Sequence, residues 1–167
     1  MFIKDNRISL QERTKELIID WLVISVYLVL LLICTMLYYK FIFNGIPKFS
    51  QIESQMIALF FSVIPMILLF SYLDYNGGSF GKRKAYLKVS FKHNNFLSAL
   101  IRNTVKFLPW QFGHMGTIRG MYTNFDTLSI TFEIISILLL LTLLFMGIFR
   151  KDKRHLGDFL ASTQVYK

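Results

Sequence analysis

One cysteine, Cys34, sits inside an apolar run, so neither a disulfide framework nor a CxxC metal site can be built from this chain. Its side chain is read as packing. Acidic residues are scarce too: ten Asp and Glu stand against nineteen Lys and Arg, a formal charge of +9. Such an excess would suit nucleic acid, but the basic residues flank apolar runs and form no soluble module of their own. No nucleic-acid partner is therefore expected, and an anionic lipid surface accounts for the charge better. Charge of either sign is sparse at 17% of residues while 54% are hydrophobic, more than a soluble domain of 167 residues can hide. The absence of a GxxxxGK[ST] loop and of GxGxxG excludes nucleotide-driven transport by the chain itself. Hydroxyl residues within the apolar runs have no nucleophile context, so no enzyme is expected. His93, His114 and His155 lack the i, i+4 spacing of a helical metal site, and no metal or other cofactor is expected.

What the chain has instead is long apolar runs. Residues 17–39 can span a bilayer about 30 Å thick at about 1.5 Å per residue, with Trp21, Tyr38 and Tyr39 suited to the two interfaces. The run is too long for a signal peptide and no small-residue cleavage site follows it, so it is read as a permanent helix. Residues 56–73 form a second span, in which Pro65 predicts a bend. Residues 128–149 form another, stopped by Arg150, Lys151, Lys153 and Arg154.

Three crossings would set Lys4, Arg7, Arg13 and Lys15 opposite that last basic cluster, against the positive-inside tendency. The candidate for a fourth is 96–118, apolar except for Arg102, Lys106, His114 and some amides. It is read as a polar, irregular segment packed inside the others, the alternative being an interfacial helix in a three-crossing topology. Leu87, Val89 and Phe91 alternate with Lys88, Ser90 and Lys92, the period of a strand with one apolar face, and Thr163 to Tyr166 offers a partner strand. The expected fold is an all-α integral membrane protein. It is a small helical bundle of three to four membrane segments, one domain over 1–167, with a short cytoplasmic β ladder, a cytoplasmic linker at 76–95 and a cytoplasmic tail at 150–167.

Four stretches then stand out in order. They are Arg13 through Asp20-Trp21, Gly78 through Gly81-Lys82-Arg83, Arg102-Asn103, and Arg154 through Asp158 to Thr163 and Val165. Together they resemble the RDD family of bacterial membrane proteins, named for an arginine and two aspartates. The chain departs from that pattern at Ala85-Tyr86, where the family often carries Leu-Gly, at Gly157, and in an insertion over 110–126. The resemblance implies a bacterial plasma membrane location, with both end segments cytoplasmic as the basic residues already require. Some family members are associated with sodium–proton exchange, so the resemblance points toward transport.

Asp20 at the membrane edge needs a cation close by, because a lone buried carboxylate costs several kcal/mol. Arg13, Arg102 and Lys106 are the available partners, and Asp158 can fold back against the last two. The expected ion or charge cluster is therefore Arg13, Asp20, Arg102, Lys106 and Asp158, with Glu133, His155 and Asn103 as secondary candidates. Two readings stay open: a clamp that fixes helix register, or a site where Asp20 or Asp158 exchanges a proton for a small cation. Glu133 is either an outer-edge residue reaching water or a second ion site, and His155 is placed to sense pH beside Asp158. The function expected is small-scale transport, by cation–proton exchange or solute movement. The alternative is a non-catalytic partner, an immunity or accessory subunit of another membrane complex, using the 110–126 insertion as its contact. A homo-oligomer is compatible with either.

Overall fold

The computed structural model describes residue 2 and residues 6–92 and 95–167, so Lys4 and His93 lie outside the described residues. The chain is mostly helical. Helix α1 (Leu10–Phe43) starts at a capping box in which Ser9 accepts from the Glu12 N–H while Glu12 reaches back to Ser9. It stops at Asn44, in the left-handed region with φ 52°. Its 34 residues give about 51 Å, more than a bilayer core needs. Of this helix only Arg13, Glu16 and Asp20 are buried, at i, i+3 and i+7 on one face, while its apolar residues are exposed or half-buried. That is the inverse of a soluble amphipathic helix, and it fits a lipid solvent.

Helix α2 (Gln51–Ala58) repeats the capping box with Ser50 and Glu53 and passes through a π-helical stretch (Leu59–Val63) into α3 (Ile64–Tyr75). The bend predicted at Pro65 becomes this widened turn. The helix bond that Pro65 cannot donate would end on the Phe61 carbonyl, which accepts the Tyr27 hydroxyl at 2.5 Å. Short α4 (Phe80–Lys84) and strand β1 (Lys88–Phe91) lead to α5 (Phe96–Thr123), capped by Asn95, and α6 (Thr127–Phe149), capped by Asp126. Then follow α7 (Leu156–Leu160) and β2 (Thr163–Tyr166).

Among the described residues three helices are long and apolar enough to cross a membrane: α1, α2–α3 taken as one, and α6. Helix α5 is as long but more polar, and it is regular where the sequence predicted irregularity, running on through Pro109. The 110–126 insertion is therefore no free loop; most of it is the second half of α5. There the side chain of Glu133 presses on Gly116, where a Cβ would meet it at 2.8 Å, so glycine permits the close approach of α5 and α6.

Contacts fix the helix directions. Tyr122 at the end of α5 donates to Phe49 O, just before α2, at 2.6 Å, while Asp74 at the end of α3 meets Arg102 near the start of α5. The Asn6 N–H, ahead of α1, donates to Lys151 O, after α6, at 2.9 Å. The four long helices thus alternate in direction, and the two end segments share one end of the bundle. The expected ladder is present as an antiparallel pair with Val89 opposite Val165 and Phe91 opposite Thr163. Its apolar face packs Leu87, Val89 and Val165 on Ile8 and Ala85, and a second core of Val63, Met66, Phe70 and Phe107 lies between the helices.

Candidate functional site

Four carboxylates and four cations meet at the end of the bundle that carries the ladder. On α1, Glu16 takes Arg13 at 2.7 Å on one oxygen and Lys82 at 3.2 Å on the other. Asp20, one turn further on, accepts the Ser79 hydroxyl at 2.7 Å and the Gly81 N–H at 2.8 Å, with Lys106 at 3.7 Å and Lys82 at 4.0 Å. From α3, Asp74 bridges Lys82, at 3.0 Å, and Arg102, and also accepts from Asn103 at 3.1 Å and the Ser79 N–H at 3.2 Å. Arg102 continues to Asp158 at 2.7 Å, whose same oxygen accepts the Thr163 hydroxyl at 2.7 Å. Lys82, Asp74, Asn103 and Asp158 have no exposed surface, and Arg102 has 2%. Charges buried this deeply persist only when paired and hydrogen-bonded, and here the two signs cancel.

Two glycines bring the short helices close enough to complete the network. A Cβ on Gly81 would lie 2.2 Å from Glu16 O and 2.7 Å from the Asp20 carboxylate, so α4 docks on α1 only with glycine there. A Cβ on Gly157 would lie 2.7 Å from Arg102 O, and the same reasoning fixes α7 on α5.

Outside the long apolar helices the electrostatics follow from these contacts. Burial disfavours the Lys82 ammonium, but Asp74 and Glu16 outweigh it and raise its pKa. Burial pushes the Asp158 carboxyl up, yet Arg102 and His155 hold it at about 2. Burial takes His155 down to about 4, so the ring is neutral near pH 7. The Gly157 N–H donates to His155 Nδ1 at 3.1 Å, which leaves the ring proton on Nε2, 3.3 Å from Asp158.

Of the residues predicted for this cluster, Asp20, Arg102, Lys106 and Asp158 are joined in it, and Arg13 enters through Glu16 and not through Asp20. Asn103 belongs to it, donating to Asp74 and to Ala99 O at 3.0 Å while its own buried Oδ1 has no partner. His155 borders it. Glu133 does not join; it lies toward the other end of the bundle and accepts from Thr117 at 2.6 Å. Sequence reasoning missed Glu16, Asp74 and Lys82. The shared helical face of Arg13, Glu16 and Asp20 could have found the first, whereas nothing separates Lys82 from its basic neighbours Arg83 and Lys84 before the chain is folded.

The Ser79–Lys82 pair has the Ser-x-x-Lys spacing that was not read in the linker, with Lys82 Nζ 3.2 Å from Ser79 Oγ. It has no nucleophile geometry. The serine hydroxyl is given to Asp20, the ammonium is held by two carboxylates, and both residues are wholly buried. Among the described residues no group of three His, Cys, Asp or Glu could hold a metal ion.

Beside the cluster lies a cavity of about 180 Å³. Arg13, Glu16, Arg102, Lys106 and His155 form its polar end, and Leu17, Leu140, Leu143, Leu144, Gly147 and Ile148 its apolar walls. Lys106 is the loosest cation of the cluster: its nearest carboxylate is 3.7 Å away, it stacks over Phe70 at 4.7 Å, and its side chain is 24% exposed.

A family model described as the RDD family matches residues 9–162, nearly the whole chain and all of the cluster. No curated protein and no solved structure matches.

Proposed function

The chain belongs to the RDD family, and on that premise we propose a multi-pass protein of the bacterial plasma membrane, with no catalytic role, that takes part in moving a small charged solute. Four helices of alternating direction would cross the bilayer, with the ladder, the linker and both end segments on the cytoplasmic side. Supporting this, Lys15, Lys84, Lys151, Lys153 and Arg154 all fall at the ladder end of the bundle.

The observation that carries the solute reading is the cavity against the charge cluster, polar at one end and apolar along its walls. Cation–proton exchange at Asp20 or Asp158 fits less well. Both carboxylates already accept hydrogen bonds from protein donors and have no oxygen facing the cavity, so for them the register clamp is the better account. The accessory-subunit reading is favoured by one feature, the almost unburied apolar surface of α1 beyond Asp20, which a partner helix could cover as well as lipid does.

Purified protein in liposomes, tested for movement of small anions and cations with and without a proton gradient, separates the readings. Saturable flux that Lys106→Gln abolishes supports transport. Absence of flux for every solute, together with co-purification of a single membrane partner, supports the accessory subunit. Cysteine labelling in intact cells tests the topology: a probe at Lys153 that reacts from outside would sink the four-crossing arrangement.

A further inference from the structure

We propose that the cavity between α1, α5 and α6 is a binding site for an anionic membrane phospholipid, whose phosphate sits on Lys106 and Arg13 and whose acyl chain lies along Leu140, Leu143 and Leu144. The inference rests on the reading that these helices stand in a bilayer and that the cavity is the point where this chain binds.

The polar end selects for an anion. Among the described residues lining it are three cations, Arg13, Arg102 and Lys106, and one carboxylate, Glu16; Arg13 is held by Glu16 and Arg102 by Asp74 and Asp158, so Lys106 is the cation left for a ligand. Arg13 is 7% exposed, and its Nε is a buried donor without a partner. Its two other nitrogens are used by Glu16 and by the Lys153 carbonyl at 2.9 Å, which fixes the guanidinium at the cavity's edge with Nε, itself almost without exposed surface, as its unused donor. Lys106 has no carboxylate within hydrogen-bond distance and can swing to a ligand. An orphaned guanidinium donor beside a mobile ammonium suits a phosphate oxygen.

The rest of the cavity selects for a chain. Its walls are leucine and isoleucine from α1 and α6, two helices that both line it without packing closely on one another. A lipid can therefore enter sideways from the acyl region and need not cross through water. A volume of about 180 Å³ holds the phosphate and a few adjoining carbons, and the rest of the lipid continues outside the cavity into the bilayer. Gly147 is open on this side: a Cβ there meets nothing within 4 Å. A larger side chain there starts from open space and extends into the cavity.

The test is a thermal-shift titration of the full chain in detergent micelles with dioctanoyl phosphatidylglycerol, dioctanoyl phosphatidylcholine and inorganic phosphate. Binding to the folded state alone raises the melting temperature with ligand concentration. The expected result is a saturable rise with phosphatidylglycerol, weaker with phosphatidylcholine and absent with phosphate. Lys106→Gln should weaken phosphatidylglycerol binding roughly ten- to hundredfold, the loss of one charge-assisted hydrogen bond. Gly147→Leu should abolish it, while Leu138→Phe on the exposed side of α6 leaves it unchanged; if Gly147→Leu does not fold, Leu143→Phe takes its place. Equal response to the two lipids, a full response to phosphate alone, or unchanged binding in both Lys106→Gln and the cavity-filling variant would overturn the proposal. A protein that binds phosphatidylglycerol as expected but moves no solute keeps the site and loses the transport reading, and flux without lipid binding does the reverse.

Discussion

Replacing Lys82 by Met is the sharpest perturbation of the cluster. The ammonium has no exposed surface and lies 3.0 Å from Asp74, 3.2 Å from Glu16 and 4.0 Å from Asp20. Methionine fills a similar volume, so cavity effects are small and the change is mainly one of charge. Four buried carboxylates then face three cations. Removing one partner of a buried pair costs on the order of 3–5 kcal/mol, against about 0–1 kcal/mol for a solvated pair. Each acid keeps one other cation, Glu16 with Arg13, Asp20 with Lys106 and Asp74 with Arg102, which places the loss toward the lower end of that range. The double variant Lys82→Met with Glu16→Gln restores neutrality and should recover part of the loss, a coupling of roughly 1 kcal/mol or more. Lys84→Met, two residues on and exposed, should change stability by less than about 0.5 kcal/mol. Denaturant unfolding in a fixed micelle, followed by tryptophan fluorescence and extended to Glu16→Gln alone to close the cycle, gives all four numbers. If Lys82→Met and Lys84→Met cost the same, or the double variant is simply additive, the cluster is solvated and the clamp argument fails.

Gly81→Ala should destabilise by about 1–3 kcal/mol or prevent folding, because its Cβ would overlap Glu16 O; a melt within 1 °C of wild type would refute the docking of α4. Tyr86 stands at φ 57° and is 81% exposed, so Tyr86→Gly should stabilise by up to about 1 kcal/mol, read as a raised melting temperature. His155 is neutral in the folded chain down to about 4, whereas in the unfolded chain it binds a proton near its ordinary 6.5. The unfolded state therefore holds more protons between those values, and stability should fall as pH drops from 6.5 to 4, by up to about 3 kcal/mol. His155→Gln should flatten that slope, and a wild-type stability indifferent to pH in this window would count against the buried neutral ring. Below about 4 the Asp158 contribution is lost as well, since its folded pKa of about 2 lies under its ordinary value.

Much of this arrangement was legible in the sequence because charge inside an apolar run has few explanations. Asp20, Arg102 and Lys106 declared themselves that way, and Asp158 followed from the need for a counter-charge. The ladder was legible because Leu87, Val89 and Phe91 alternate at period two and a lone strand is unstable. The pairing was not: Arg13 chooses Glu16, one turn away, because Asp20 is already taken by Ser79 and Gly81 arriving from a distant turn. Lys82 was hidden among basic neighbours that look alike until α4 docks and buries one of them. Helix α5 was expected to be irregular because its polar residues seemed too costly for a continuous helix. Arg102 is paired with Asp74 and Asp158, and the Asn103 amide donates to Asp74, which offsets most of that cost.

The order in which the cluster's charges occur along the chain sets a timetable for its completion during synthesis. Counting Arg13, Glu16 and Asp20, then Asp74, Lys82, Arg102 and Lys106, the running sum goes from −1 to −2, then to −1, 0 and +1. Only Asp158, which is made after the last of the long helices, returns it to zero. Until that residue is made, the Arg102 guanidinium waits with one of its two carboxylates missing. The four-plus-four balance of the cluster is thus reached only with the segment that follows α6, which ties the pairing of Arg102 to the last part of the fold.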